Sequence, residues 1–188
     1  MTVMTAMGKR RRDKPADRKN GLTAALYDWI EAAVLAIACI VLVFTFLVRI
    51  VGVDGVSMED TLQDGDRLLL SSLFYTPERG DIVVINRYVE EPLIKRVIAL
   101  EGDTVGIDAE AGRVVLNGET LEEPYAHYPT FPGADFSGEV TVPEGCVFVL
   151  GDHRTDSKDS RSAEVGFVRV EDIVGKAVFS LWPFGPIG

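Results

Sequence analysis

Histidine and cysteine are both scarce, with two of each in 188 residues. Cys39 lies inside a long apolar run and Cys146 lies far down the chain. A disulfide between them would have to reach into a bilayer, so none is expected. Neither cysteine neighbours a His/Cys/Asp cluster, so no zinc site, and no metal or cofactor of any kind, is expected. Cations are also few beyond residue 51: eleven Lys/Arg stand against twenty-five Asp/Glu there, whereas the first 51 residues hold eight against four. An acidic main region argues against nucleic acid as a partner. A basic N-terminal arm of this kind suits anionic lipid head groups or nucleic acid. There is no internal repeat, no low-complexity tract and, after the apolar run, no long amphipathic helix.

What is present begins with hydrophobicity: 47% of residues are apolar, and the mean hydropathy is positive. Such values point to a membrane segment. From Ala32 to Val48 seventeen consecutive residues carry no charge, ~26 Å as a helix. Snorkelling of Glu31 and Arg49 toward the interfaces brings this close to a hydrocarbon core of ~30 Å. Tyr27 and Trp29 suit an interfacial aromatic belt. The tract "KRRRDKPADRKNG" before the run cannot bury a core. Its positive charge holds the N-terminus in the cytoplasm and exports the residues beyond the run. A buried helix of a soluble domain would not be apolar on every face. A cleaved signal peptide would end in small residues, but the run ends in "VRIVGVDG". The expected organisation is a basic cytoplasmic tail over residues 1–25, a transmembrane anchor over 26–51 and an extracytoplasmic domain over 52–188.

Beyond residue 52 the pattern becomes that of strands. Short runs rich in β-branched residues, such as "GDIVVINRYV", "LIKRVIAL", "RVVLNGETL" and "CVFVLGD", alternate with turn-forming clusters. Asn117-Gly118 between apolar runs signals a hairpin. The stretch from Glu122 to Glu139 is the longest irregular loop. The fold class is therefore mainly β: an N-terminal transmembrane helix followed by a mostly antiparallel sandwich or distorted barrel.

The chemistry centres on Ser57 in "VDGVSMEDTL". A turn serine capping a short helix is the ordinary reading. A nucleophilic serine needs a base within hydrogen-bond reach. His153, in "GDHRTDSKDSR", would complete a Ser-His-Asp triad on paper. The other candidate base is Lys95 in "PLIKRVIAL", flanked by Leu93, Ile94, Val97 and Ile98. Strand alternation places Lys95 on one face with Leu93, Val97 and Ala99. Burial there would lower its pKa far enough to leave a neutral amine. The competing reading is an edge-strand lysine with its head in water. In the segment Gly151 to Arg161, Asp159 and Arg161 can pair, and Ser157 can bond a buried amine.

Together these residues resemble bacterial type I signal peptidases. The serine segment appears as "GVSMEDTL", a following box as "GDRLLL", the lysine box as "KRVIALEGD" and the last box as "GDHRTDSKDSR", with "IVGKAVFSLWPFGPIG" similar to the closing strand. Four boxes in order behind one anchor cover most of the chain. The resemblance implies Ser57 as nucleophile and Lys95 as general base. It implies Ser157 orienting the amine, an Asp159–Arg161 ion pair, Met58 beside the cleft and Gly55 at the oxyanion site. It implies removal of signal peptides from exported preproteins, with the bilayer and the protein-export machinery as partners. Three positions depart from the family pattern: Asp60 replaces a proline, His153 an asparagine, and Gly55 the serine that some relatives use toward the oxyanion. The Gly55 form and the single anchor resemble the Gram-positive branch. Two alternatives stand beside this: an inactive membrane-tethered binding module of the same fold, and the His153 triad. The self-cleaving repressors that share Ser/Lys chemistry need a DNA-binding helical domain, and here an anchor takes that place.

Overall fold

The computed structural model describes residues 18–46, 48–59, 61–72, 75–86 and 92–187. Most of the expected basic tail, residues 1–17, and Asp60 lie outside them. The chain divides into two units between Val43 and Phe44.

The first unit is dominated by helix α1, Arg18–Phe46. Within it Thr23–Leu42, 20 residues of mean hydropathy 2.0, is long and apolar enough to cross a membrane. Leu26, Tyr27, Trp29, Leu35 and Ile40 are each more than half exposed. By length and composition such a helix suits a hydrocarbon core.

The apolar run does not stay helical to residue 51. Val48–Gly52 form strand β1, because β-branched Val48, Ile50 and Val51 find a partner strand in β2, Arg67–Ser71. The remaining strands are β3 (Ile82–Ile85), β4 (Leu93–Ala99), β5 (Thr104–Asp108), β6 (Arg113–Leu116), β7 (Glu119–Thr120), β8 (Glu139–Thr141), β9 (Cys146–Leu150), β10 (Val168–Arg169), β11 (Ile173–Trp182) and β12 (Phe184–Pro186). The larger sheet runs β1-β2-β11-β3-β4-β9-β10, with β12 added to β11. Every pairing in it is antiparallel. Register shifts along β11 mark bulges, which bend and twist a strand and so curl the sheet. A smaller antiparallel sheet, β7-β6-β5-β8, carries the hairpin foreseen at Asn117-Gly118. Both of these residues have positive φ, 52° and 83°, as a two-residue type I′ turn requires. The mainly β, antiparallel class read from the sequence is the one observed.

Two features place the site. First, β4 is an interior strand, paired to β3 on one side and β9 on the other. Lys95 lies opposite Val83 and is 2% exposed, so the edge-strand reading of this lysine fails. Second, a bulge between Val97 and Ala99 interrupts the alternation of β4. Ala99 therefore joins Ile98 in the core shared with the smaller sheet, while Leu93 and Val97 stay in another cluster. The expected four-residue face of Leu93, Lys95, Val97 and Ala99 thus ends at Val97.

Phe148 of β9 is 1% exposed and packs against Phe136 and Phe167, with centroids 5.6 and 6.3 Å away. It anchors the strand that delivers the segment after Leu150. Phe148→Ala is expected to cost about 3–5 kcal/mol, read as a lowered midpoint of denaturant unfolding for the detergent-solubilised chain.

Candidate active site

Ser57 sits in a tight turn between β1 and β2. The loop is closed at its base by Val53 N–H to Asp66 O at 2.8 Å and Gly65 N–H to Val53 O at 3.0 Å. Glu59 N–H to Val56 O and Leu62 N–H to Met58 O fold the turn itself. Gly55 has φ of 93°, a left-handed conformation that favours glycine. Met58, expected beside the cleft, is instead 1% exposed and packs with Val53, Leu62, Leu68 and Ile94. Its apolar chain is more stable there than at a wet rim, so it supports the turn from beneath. The Gly55 N–H is donated to Asp64 Oδ1 at 2.9 Å, which leaves the Ser57 N–H as the backbone donor expected at the oxyanion. The Ser57 N–H donates to no acceptor among the described residues.

The serine hydroxyl does not cap a helix. Lys95 Nζ reaches it across the sheet and donates to Ser57 Oγ at 2.7 Å. The same nitrogen donates to Ile94 O at 2.9 Å. Burial lowers the Lys95 pKa from 10.5 to about 8, against the opposing pull of the Asp159 and Asp152 carboxylates. In the neutral form the same contact runs the other way: one N–H still serves Ile94 O, and the amine lone pair accepts the Ser57 O–H.

The segment Gly151–Arg161 wraps around this pair. The His153 N–H donates to Ser57 O at 3.1 Å. A Cβ on Gly151 would overlap both Ser157 Oγ and the Ser57 carbonyl oxygen, so only glycine lets the two segments approach this closely. Asp159, 1% exposed, accepts from Gly151 N–H at 3.1 Å. It also takes both arms of Arg161, from Nε and Nη2 at 2.8 Å each. Ser157 Oγ is enclosed and has no hydrogen-bond partner among the described residues. The expected bond from Ser157 to the amine is therefore absent, since Ser57 and the Ile94 carbonyl are the atoms the amine bonds. The His153 imidazole stacks on Tyr128, with centroids 4.2 Å apart and planes 17° apart. Its Nδ1 lies 3.8 Å from Glu59 Oε2. The hydroxyl that a triad would require it to hold is bonded to Lys95.

Several residues of this site went unnoticed in the sequence. Arg96, 4% exposed, forks onto Asp152 through Nε at 2.9 Å and Nη2 at 2.7 Å, and Asp152 is fully buried. Thr61 Oγ1 donates to the same carboxylate at 2.5 Å. Arg154, 2% exposed, donates to Gly151 O at 3.0 Å and forks onto Glu123 at 2.8 and 2.6 Å. One signal was available. Two consecutive cations in an apolar strand point to opposite faces, so a buried Arg96 demands a buried carboxylate of its own.

The family model described as "Signal peptidase, peptidase S26" matches residues 26–182. The chain belongs to the S26 signal peptidase family. Among S26 signal peptidases, signal peptidase I of Bacillus amyloliquefaciens is 35% identical over 184 residues, spanning 93% of this chain and 97% of that one. Signal peptidase I of Bacillus caldolyticus is 34% identical over 172 residues, or 84% and 90% of the two chains. Signal peptidase IB of Staphylococcus aureus is 33% identical over 178 residues, or 85% and 91%. A crystal structure of signal peptidase I from Enterococcus faecalis superimposes with a TM-score of 0.45 at 29% identity, covering 55% of this chain and 98% of that one.

Burying Lys95 carries a stability consequence with a definite sign. Its folded pKa of about 8 lies below the unfolded value near 10.5. The unfolded state therefore binds more protons between these values, and stability rises with pH through that window. Lys95→Met removes the titrating group. It is expected to be more stable than wild type at pH 7, by up to about 3 kcal/mol, since each tenfold change in proton affinity is worth about 1.36 kcal/mol. The difference should vanish by about pH 10.5, as paired denaturant titrations at the two pH values would show.

Proposed function

We propose that this signal peptidase is a membrane-anchored serine endopeptidase that removes signal peptides from exported preproteins with a Ser57/Lys95 dyad. The observation that carries the reading is the 2.7 Å contact between Lys95 Nζ and Ser57 Oγ at a lysine withdrawn from water. Neutral Lys95 takes the hydroxyl proton as Oγ attacks the scissile carbonyl carbon. The carbonyl π electrons move to oxygen, and the Ser57 N–H, which no described acceptor claims, is positioned to donate to the oxyanion. Collapse breaks the C–N bond, and the Lys95 ammonium protonates the departing amine. Water then adds to the acyl-enzyme, giving its proton to Lys95, and a second collapse frees the carboxylate product and restores the serine.

The substrate class rests on the named activity of the relatives and on position. Ser57 lies about ten residues beyond the apolar helix α1, a distance of at most ~35 Å, and a signal peptide presents its Ala-x-Ala site just outside the hydrocarbon core. Within the β unit, Ile50, Trp182 and Phe184 are 58%, 72% and 82% exposed. They sit on β1, β11 and β12 of one sheet, and the aromatic pair Trp182 and Phe184 suits an interface between water and lipid. On this reading residues 26–46 anchor the chain in the cytoplasmic membrane, with residues 1–25 inside the cell and the β unit outside. Asp159–Arg161 holds the loop, and the Ile94 carbonyl, not Ser157, fixes the amine.

An inactive binding module of the same fold would have no reason to bury an amine against a hydroxyl, since burial penalises the charged form. The two readings part on incubation with a preprotein. Ser57→Ala and Lys95→Ala should each abolish trimming, and His153→Ala should retain it to within about tenfold, as it contributes a backbone contact and a stack. Cleavage surviving Lys95→Ala removes the dyad; its loss in His153→Ala restores the triad. The rate of the wild-type enzyme should climb with pH through a single ionisation near 8, since the base works only when deprotonated.

A further inference from the structure

The dyad mechanism makes no use of the irregular loop 122–139, yet that loop enters the same buried charge network. Tyr125 lies between two guanidinium groups. The Arg96 Cζ stands 3.9 Å from its ring centroid and the Arg154 Cζ 5.9 Å. Each guanidinium grips one side of the Gly151–Arg154 segment: Arg96 forks onto Asp152, and Arg154 Nε bonds Gly151 O. Directly after those two gripped residues the His153 N–H holds the carbonyl of Ser57 itself. The loop is fixed in turn. Glu123 receives the Arg154 fork and the Tyr125 hydroxyl, the latter at 3.1 Å. Thr130 Oγ1 accepts from Arg154 at 2.7 Å, and Phe131 O accepts from Arg161 at 3.1 Å.

We propose that Tyr125 is a positioning residue for the Ser57/Lys95 dyad. Its ring keeps the two guanidinium groups apart and seats Arg96 on Asp152, and so fixes the segment that holds Ser57. The inference rests on the dyad reading above. Two positive charges in a water-poor interior repel strongly, and an aromatic face between them attracts each. Without the ring Arg96 loses that seat, and the Asp152 carboxylate loses part of its compensation. The charged groups that act on the amine are Asp152, held by Arg96 and Thr61, and Asp159, held by Arg161. A freer Asp152 favours the ammonium over the amine. The consequence is a slower chemical step and a base that deprotonates at higher pH, not weaker peptide binding.

Tyr125→Phe keeps the ring and discards the hydroxyl; Tyr125→Leu discards the ring. The test uses the full chain in detergent micelles and an internally quenched peptide carrying Ala-x-Ala before its scissile bond. Wild type, both variants and Ser57→Ala are compared for kcat, KM and the pH dependence of kcat/KM. Tyr125→Phe should stay within about twofold of wild type, because the stacking face is intact. Tyr125→Leu should lose about tenfold or more in kcat with KM within about twofold, as displaced catalytic groups do. Its ascending limb should move up by about half a pH unit or more. If Tyr125→Leu lacks a folded melting transition, Tyr125→Met replaces it in the same comparison. A limb at the wild-type position in the ringless variant overturns the proposal, even if kcat falls, because a merely structural loss lowers the active fraction and leaves the limb in place. Equal damage from Tyr125→Phe also overturns it. If Ser57→Ala cleaves normally, the dyad reading falls and takes this one with it. If Ser57→Ala is dead and Tyr125→Leu behaves as wild type, the Tyr125 proposal alone falls.

Discussion

The site depends on holding one lysine amine out of water while leaving it something to touch. An interior strand does the first part. Lys95 lies on β4, between β3 and β9, and is 2% exposed. The turn bearing Ser57 and the Ile94 carbonyl do the second. The burial penalty is the largest influence on the amine and lowers its affinity for a proton. Two buried carboxylates, Asp152 and Asp159, pull the other way. Neither acts as a naked charge, because Arg96 and Arg161 each answer one of them with a two-pronged contact. Much of the buried charge in this unit can thus be understood as compensation arranged around a single nitrogen.

That constraint explains why the segment after β9 has the composition it has. To bring a backbone N–H against the Ser57 carbonyl, residue 151 must lack a side chain. To keep the segment folded inward, its polar residues must be satisfied where water does not reach. Asp159 takes the Gly151 N–H, Ser160 Oγ accepts from Val149 N–H, and Arg154 returns to Gly151 O. A loop with this many charges would ordinarily be solvated. Here Asp152, Arg154, Asp159 and Arg161 are all less than a tenth exposed, and removal of one partner would strand another. Ser157 Oγ and His153 Nδ1 are the exceptions in this segment, each enclosed and without a hydrogen-bond partner among the described residues. Each such group costs about 1–3 kcal/mol, and Ser157 Oγ lies against Gly151, beside the Ser57 carbonyl.

The sequence made part of this legible. The apolar run, the β-strand periodicity and the Asn117-Gly118 turn each rest on local rules, and each appears where local rules put it. The end of the run did not, because Val48–Gly52 are apolar enough for a membrane and β-branched enough for a sheet; only the presence of β2 decides between them. The lysine could be singled out because an ammonium among apolar residues conflicts with its surroundings. Its neighbour Arg96 presents the same conflict but is resolved through Asp152, 56 residues away, a pairing that depends on how β4 and β9 meet. The depth of Met58 was equally invisible. A residue beside a nucleophile in sequence can point at substrate or at the core, and the turn geometry makes that choice.

The adjacent cations of β4 show how one strand can carry opposite electrostatic solutions. Pleating sends Lys95 and Arg96 to opposite faces. An arginine cannot lose its proton at any ordinary pH, so its face must supply a counter-charge, and Asp152 does so with both oxygens. A lysine can lose its proton, so its face can leave it without a direct carboxylate contact; its bonded partners are a neutral hydroxyl and a neutral carbonyl. Exchanging the two residues would leave a permanent charge facing Ser57 and a titratable one facing Asp152. The first could accept no proton, and the second would keep its own. For the proposed dyad, the order Lys-Arg is therefore a requirement of the chemistry as much as of the fold.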